Sequence, residues 1–330
     1  MQTLSPERLE PETIHLHGGD GAYELSAQIL PKLGANLISF NFNGTELIHW
    51  DEKAFLADMK FTGAFNMFPT PCRLANCSYE FEGKKIVQRK KGKDVFIHGL
   101  IRDEIMESRN DGDRITSWLN INPDHAVFEG FPFKCMFSVT HSLHKPDSKD
   151  SPAEPGYGSG LTVSFRIQNN DSSNIPCGYG IHPFWRIQGQ RKDVLVSIPC
   201  DHVLELKDLI PTGNYMPVTG TDLDLRKLRS IENLYIDNTF WKRKPGKKAE
   251  IVFKAIGRKI VIEASDNFPI KIVYSPENKE YICVETLTTS PNAPNLVSTG
   301  KENIANMLVI PPGDSAEGWI RYTVEPVGNG

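Results

Sequence analysis

Residues 270–295 read IKIVYSPENKEYICVETLTTSPNAPN, and their middle, Tyr281-Ile282-Cys283-Val284-Glu285-Thr286-Leu287, decides how the rest of the chain is read. Side chains of an extended segment alternate between faces, so Ile282 and Val284 point one way and Tyr281, Cys283 and Leu287 the other. Both faces are apolar, which predicts a strand buried on both sides. Glu285 falls on the second face, where a carboxylate loses hydration unless it is paired or used. The polar turn Ser290-Pro291-Asn292-Ala293-Pro294-Asn295 follows closely. Glu285 thus sits near the end of a rigid strand beside a stiff loop, a good setting for a catalytic group. The plainer alternative is a strand-end glutamate, solvated or paired with a lysine.

Outward from this strand the chain keeps alternating. Residues 13–17, 24–30, 36–42, 115–121, 136–143, 161–167 and 318–324 all read as strands. Asn43-Gly44 and Glu82-Gly83 mark tight hairpin turns. Helical patterns are confined to 51–59 and 222–229. Many short strands and few helices predict an all-β chain, with large antiparallel sheets packed face to face, a barrel or a propeller. No fixed repeat supports the propeller. No composition break appears, so residues 1–330 read as one domain. The stretch KPDSKDSPAEPGYGSG, 145–160, reads as an exposed hairpin loop between two strands that pair.

The 330 residues are 24% charged, with a formal net charge of -4. That balance argues against a nucleic-acid binder and against a polybasic membrane surface. Basic clusters at 84–93 and 242–248 follow turn signals and read as solvated hairpin tips. No apolar run approaches the roughly 20 residues of a membrane span, and the N-terminus has no signal-peptide pattern. Six cysteines are scattered, and the one close pair, Cys72 and Cys77, has no nearby partners to complete a zinc set. Buried free thiols in a reducing, cytoplasmic compartment are the expectation.

Four further places stand out beside Glu285. Arg73 follows the proline-stiffened segment Phe65-Asn66-Met67-Phe68-Pro69-Thr70-Pro71-Cys72, which would hold its guanidinium on rigid backbone. His98 lies between Val95-Phe96-Ile97 and Gly99, where glycine permits close approach of backbone or ligand. His182 lies in Cys177-Gly178-Tyr179-Gly180-Ile181-His182-Pro183-Phe184-Trp185, where glycines and aromatics resemble a wall for a sugar ring. Asp237 lies among apolar residues in Leu234-Tyr235-Ile236-Asp237. Each has a bland alternative: a surface arginine, a satisfied core histidine, an aromatic core cluster, an Asx-turn. The chain carries no G-x-S-x-G elbow, H-E-x-x-H, P-loop or dinucleotide fingerprint. One glutamate, two histidines, an arginine and an aspartate suit proton transfer and hydroxyl binding without metal or cofactor.

In order, Arg73 with Asn76 and the Tyr79–Gly83 hairpin, His98-Gly99, His182-Pro183-Phe184, Asp237 before Phe240, Val273-Tyr274, Glu285 and Pro291-Asn292-Ala293-Pro294-Asn295 resemble the aldose 1-epimerase (galactose mutarotase) superfamily. The resemblance runs from about Gly34 to Pro326. It implies a single large antiparallel β-sandwich, the galactose mutarotase-like supersandwich, with a sugar cleft on one sheet. It also implies Glu285 as general base, His182 as general acid, and Arg73, His98 and Asp237 as sugar-holding residues, with Asn76 beside them. For both catalytic groups to work near neutral pH, His182 is expected protonated while Glu285 is ionised. Trp185 or Phe184 is expected to stack on the sugar face. His182-Pro183-Phe184-Trp185-Arg186 departs from the galactose mutarotases, and Ile97-His98-Gly99-Leu100-Ile101-Arg102 resembles the hexose-6-phosphate 1-epimerase branch. Arg102, Lys60 and Arg186 are therefore candidates for a 6-phosphate clamp. A non-catalytic carbohydrate-binding module on the same fold is the competing expectation. A glycoside hydrolase or lyase would need a second acidic residue, for which Asp237 is the candidate. The expected partner is a small-molecule sugar, with no nucleic acid and no membrane, and the chain is expected as a monomer or homodimer.

Overall fold

Strands with one apolar face must bury it, and two sheets of such strands do so by stacking. The computed structural model describes residues 13–19, 23–56, 62–88, 95–145 and 157–327. Its first sheet has 11 strands. Neighbour by neighbour it runs Ile14–Gly19, Glu24–Leu30, Asn36–Phe42, Ala64–Met67, Gly180–Arg186, Tyr281–Leu287, Ile270–Ser275, Ile236–Arg243, Cys200–Lys207 and Ile210–Pro217, with Thr45–Glu46 paired to Asn36–Phe42. The second sheet has nine: Glu107–Asn110, Arg114–Ile121, Cys135–His144, Gly160–Asn169, Ser315–Pro326, Arg258–Ala264, Ala249–Phe253, Val194–Ser197 and Arg229–Ser230. The pairings are antiparallel, including Cys135–His144 with Gly160–Asn169, as their alternation predicts. Of the loop expected at 145–160, residues 146–156 lie outside the described residues.

Inward faces of the two sheets make the main core. Trp185 of the first sheet meets Tyr322 of the second, ring centres 5.1 Å apart. A second apolar cluster lies on the other face of the first sheet and includes Phe65, Phe184, Ile272, Tyr281, Cys283 and Leu287. Tyr281–Leu287 is thus buried on both faces, with Ile282 and Val284 in the main core. Two short helices, Ala293–Val297 and Glu302–Ala305, add Leu296, Ile304 and Ala305 to that second cluster.

Three expectations change. The helix expected at 222–229 is instead a stretch of turns and bends that ends in the strand Arg229–Ser230. Arg226 bonds Asp224 and Thr219, and Arg229 bonds the backbone and side chain of Asp222, so local side-chain bonds compete with helical ones. The helix expected at 51–59 spans Glu52–Leu56, capped by the Asp51 carboxylate on the Ala54 amide; residues 57–59 lie outside the described residues. Trp185 is fully buried between the sheets and faces away from the open side, so it cannot stack on a ligand there. Pro183 does not break the alternation: His182 and Phe184 share the open side, and Ile181 and Trp185 share the core.

Trp185→Ala should therefore destabilise the fold by about 3–5 kcal/mol, the cost of emptying a large core site. Chemical denaturation measures this; a loss under about 1 kcal/mol would place the ring outside the core.

Candidate active site

Strand register brings the two central groups together. Ile181 pairs with Thr286 and Phe184 with Cys283, so the intervening His182 lies across from Glu285. His182 Nε2 stands 3.2 Å from Glu285 Oε1, with the two side chains 6% and 3% exposed. Phe184 stacks flat beneath the imidazole at 4.6 Å, and Phe65, from the strand on the other side, packs at 4.9 Å. Phe184 is a fully buried platform for His182, not an open surface for a sugar.

The other groups ring this pair. Arg73 Nη2 lies 3.5 Å from Asp237 Oδ2, and both side chains keep about a quarter of their surface exposed (27% and 28%). Asp237 sits within the strand Ile236–Arg243, so the Asx-turn alternative does not hold. The His98 ring meets the His182 ring edge-on at 5.1 Å. Arg102 Nη1 donates to His98 Nδ1 at 3.3 Å and its guanidinium lies over the Phe65 ring at 5.1 Å. His98 and Gly99 are both in left-handed backbone (φ 69° and 70°), and a Cβ on Gly99 would stand 2.4 Å from the Phe68 carbonyl oxygen. The glycine therefore serves close backbone approach.

Glu285, His182, Arg73, His98, Asp237 and Arg102 are brought together. Asn76 is an exposed turn residue with φ 56°. A different asparagine, Asn292, binds the Arg73 strand: its amide donates to the Arg73 carbonyl at 2.7 Å and its Oδ1 accepts from the Ala75 amide at 3.1 Å. Arg186 is exposed and lines a groove of about 360 Å³ with Gln28, Ser39, Glu46 and Trp50, whose walls include none of the six. Lys60 lies outside the described residues.

The aldose 1-epimerase family profile matches residues 21–323. The chain belongs to the aldose 1-epimerase family. It is 26% identical to the Escherichia coli protein YihR, described as uncharacterized, over 86% of each chain. It is 27% identical to human galactose mutarotase over 47% of this chain and 42% of that one. Among solved structures it resembles the GalM/aldose epimerase homologue from C. elegans (TM-score 0.77, 18% identity, 96% of this chain and 100% of that one). A galactose mutarotase-like protein from Clostridium acetobutylicum is similar in fold (TM-score 0.76, 17% identity, 96% and 99%).

In this family member, burial sets the charge of the central pair. It pushes the Glu285 carboxyl well above the usual carboxylate range, and nearby Asp237 acts in the same direction, against a Cys72 hydrogen bond and Arg73. Burial, followed by the Arg102 guanidinium, pushes His182 down to about 3. Burial therefore disfavours the charged form of both members of the pair. Both shifts run against the expected carboxylate and imidazolium, because ions that have lost water are costly even when they face each other. Burial also raises Asp237, and Arg73 opposes it.

Two residues here escaped assignment from the sequence. Cys72 Sγ lies 3.4 Å from Glu285 Oε2. Tyr274 is the cross-strand partner of Asp237 and is half-buried on the same strand pair. Tyr274 had a signal, since Val273-Tyr274 belongs to the resemblance; Cys72 had none beyond its place before Arg73.

A raised carboxyl pKa means that the proton is held more tightly. An infrared band of a protonated carboxyl should persist at about pH 6, where an ordinary glutamate is ionised. It should disappear in Glu285→Gln. A wild-type protein with no such band at that pH would contradict the assignment.

Proposed function

We propose that the protein is an aldose 1-epimerase that interconverts the α and β anomers of a hexose. The observation that supports this most is the buried contact of His182 Nε2 with Glu285 Oε1 at 3.2 Å, beneath a half-open arginine–aspartate pair. Binding alone does not require an acid and a base in contact. The name of the human relative supports the same reading.

Ring opening needs a base for the anomeric hydroxyl proton and an acid for the ring oxygen. In this reading the resting pair holds one proton, on Glu285, and its transfer to His182 creates both without uptake from solvent. Sugar hydroxyls and Arg73 favour that charged form through hydrogen bonds and charge. Glu285 then takes the anomeric proton, His182 protonates the ring oxygen, and the C1–O5 bond breaks. The open-chain aldehyde leaves a protonated Glu285 and a neutral His182, the form in which the cycle began. Rotation about C1–C2 and reclosure reverse the two roles. In this reading Arg73 and His98 hold the ring oxygen and neighbouring hydroxyls, and Asp237 accepts from hydroxyls.

One observation favours a second substrate class. Arg102 is 8% exposed and fixed against both His98 and Phe65, which makes it a rigid cation at the edge of the site. A rigid guanidinium suits a phosphate, so a hexose 6-phosphate is the alternative substrate.

Anomer exchange of α-glucose, α-galactose and their 6-phosphates, followed by polarimetry or NMR, tests both. Glu285→Gln and His182→Asn should each lower turnover about 10²–10⁴-fold with the fold intact. Sugar binding by calorimetry without acceleration would contradict catalysis and favour a binding module. Arg102→Ala should lower kcat/KM at least about tenfold more for the 6-phosphate if the ester is the substrate. An equal loss on both sugars points to the plain hexose.

A further inference from the structure

Cys72 is joined to two groups of the site at once. Its thiol lies 3.4 Å from Glu285 Oε2, and its carbonyl accepts the His98 amide at 3.0 Å. Its backbone is left-handed (φ 59°) and its side chain is buried, with 4% of the residue exposed. Cysteine has no side-chain feature that favours left-handed backbone, so the fold holds this conformation from outside. The two Glu285 oxygens have separate partners: Oε1 faces His182 and Oε2 faces Cys72.

We propose that Cys72 is a positioning residue of the proposed reaction, whose thiol donates to Glu285 Oε2 and so keeps Oε1 turned toward His182. The proposal rests on the epimerase reading for its effect on rate, but not for the contact itself. A carboxyl group turns about its last bond, and with Oε2 tied the other oxygen has one orientation. The choice of donor matters chemically. An S–H is a weak, neutral donor. It serves both the acid and the carboxylate form of Glu285, whereas an ammonium or guanidinium at this spot would trap the carboxylate. Burial pushes the Cys72 thiol well above its usual range, and the Glu285 charge pushes the same way, so it remains a donor throughout the working pH range. The remaining titratable or charged groups around Glu285 are His182, Asp237, Arg73 and Cys283, with His98 and Arg102 behind His182.

The experiment uses the full chain with Cys72→Ser, Cys72→Ala and Glu285→Gln. Infrared difference spectra, wild type minus Cys72→Ala, isolate one S–H stretching band. That band should shift to lower frequency as Glu285 ionises, and the shift should vanish in Glu285→Gln. A band indifferent to Glu285→Gln overturns the contact, with no need for turnover. In anomer exchange, Cys72→Ala should lower kcat about tenfold, the worth of one hydrogen bond, with KM nearly unchanged. Loss of a donor to the charged form raises the Glu285 pKa, so the alkaline limb of kcat should move to higher pH. Cys72→Ser should recover most of the rate. Equal impairment of Ser and Ala variants, or a wild-type rate and limb in Cys72→Ala, overturns positioning and leaves a packing role. A wild type that exchanges no anomer of any sugar tried defeats the epimerase reading instead, and the S–H band still decides the contact.

Discussion

A carboxyl and an imidazole, each at least nine-tenths buried, touch at 3.2 Å, and the site is arranged to make that contact tolerable. Neither group could be buried alone as an ion. In the proposed reaction the two share one proton, and the pair becomes an acid and a base when that proton moves the short way between them. The demands on the fold follow. Two strands must pair in one register, and a flat apolar platform must hold the imidazole. Phe184, two residues along the same strand, supplies that platform. Phe65 packs from the neighbouring strand.

The surroundings are graded from dry to wet. At the floor lie Cys72 and the pair, buried and held by short polar contacts. One level out, His98 and Arg102 are fixed to each other and to Phe65. At the rim, Arg73 and Asp237 stay partly solvated, so the hydroxyl of the proposed sugar would compete there with water and not with a dry ion pair. The rim is itself anchored. Asn292, held by Asn295 Nδ2 at 2.8 Å, braces the strand Arg73–Ala75 through two backbone bonds. Asn292, at the start of the helix Ala293–Val297, thus places an arginine more than two hundred residues earlier in the chain.

Period-two alternation made the sheets legible. It told which face of Tyr281–Leu287 carries Glu285, and the two apolar clusters fall on the two faces as that alternation requires. The same rule, carried through Pro183, would have turned Trp185 away from the cleft; weighing it as an aromatic near a histidine overrode its parity. Asn76 is near Arg73 in sequence, whereas the residue that braces the Arg73 strand, Asn292, comes from across the fold. Cys72 was illegible for a similar reason. Its partner is 213 positions away, and a thiol in an apolar stretch looks like core. The 222–229 turns show the opposite failure, where helix-tolerant residues are held by side-chain bonds that composition does not display.

The central claim is that Glu285 and His182 work as one proton-carrying unit. The turnover of Glu285→Gln, His182→Asn and the double variant, measured on the same sugar, tests it most directly. A unit that loses either member is already broken, so the double variant should be no more than about threefold slower than the worse single one. Losses that multiply would show two independent contributors and contradict the account.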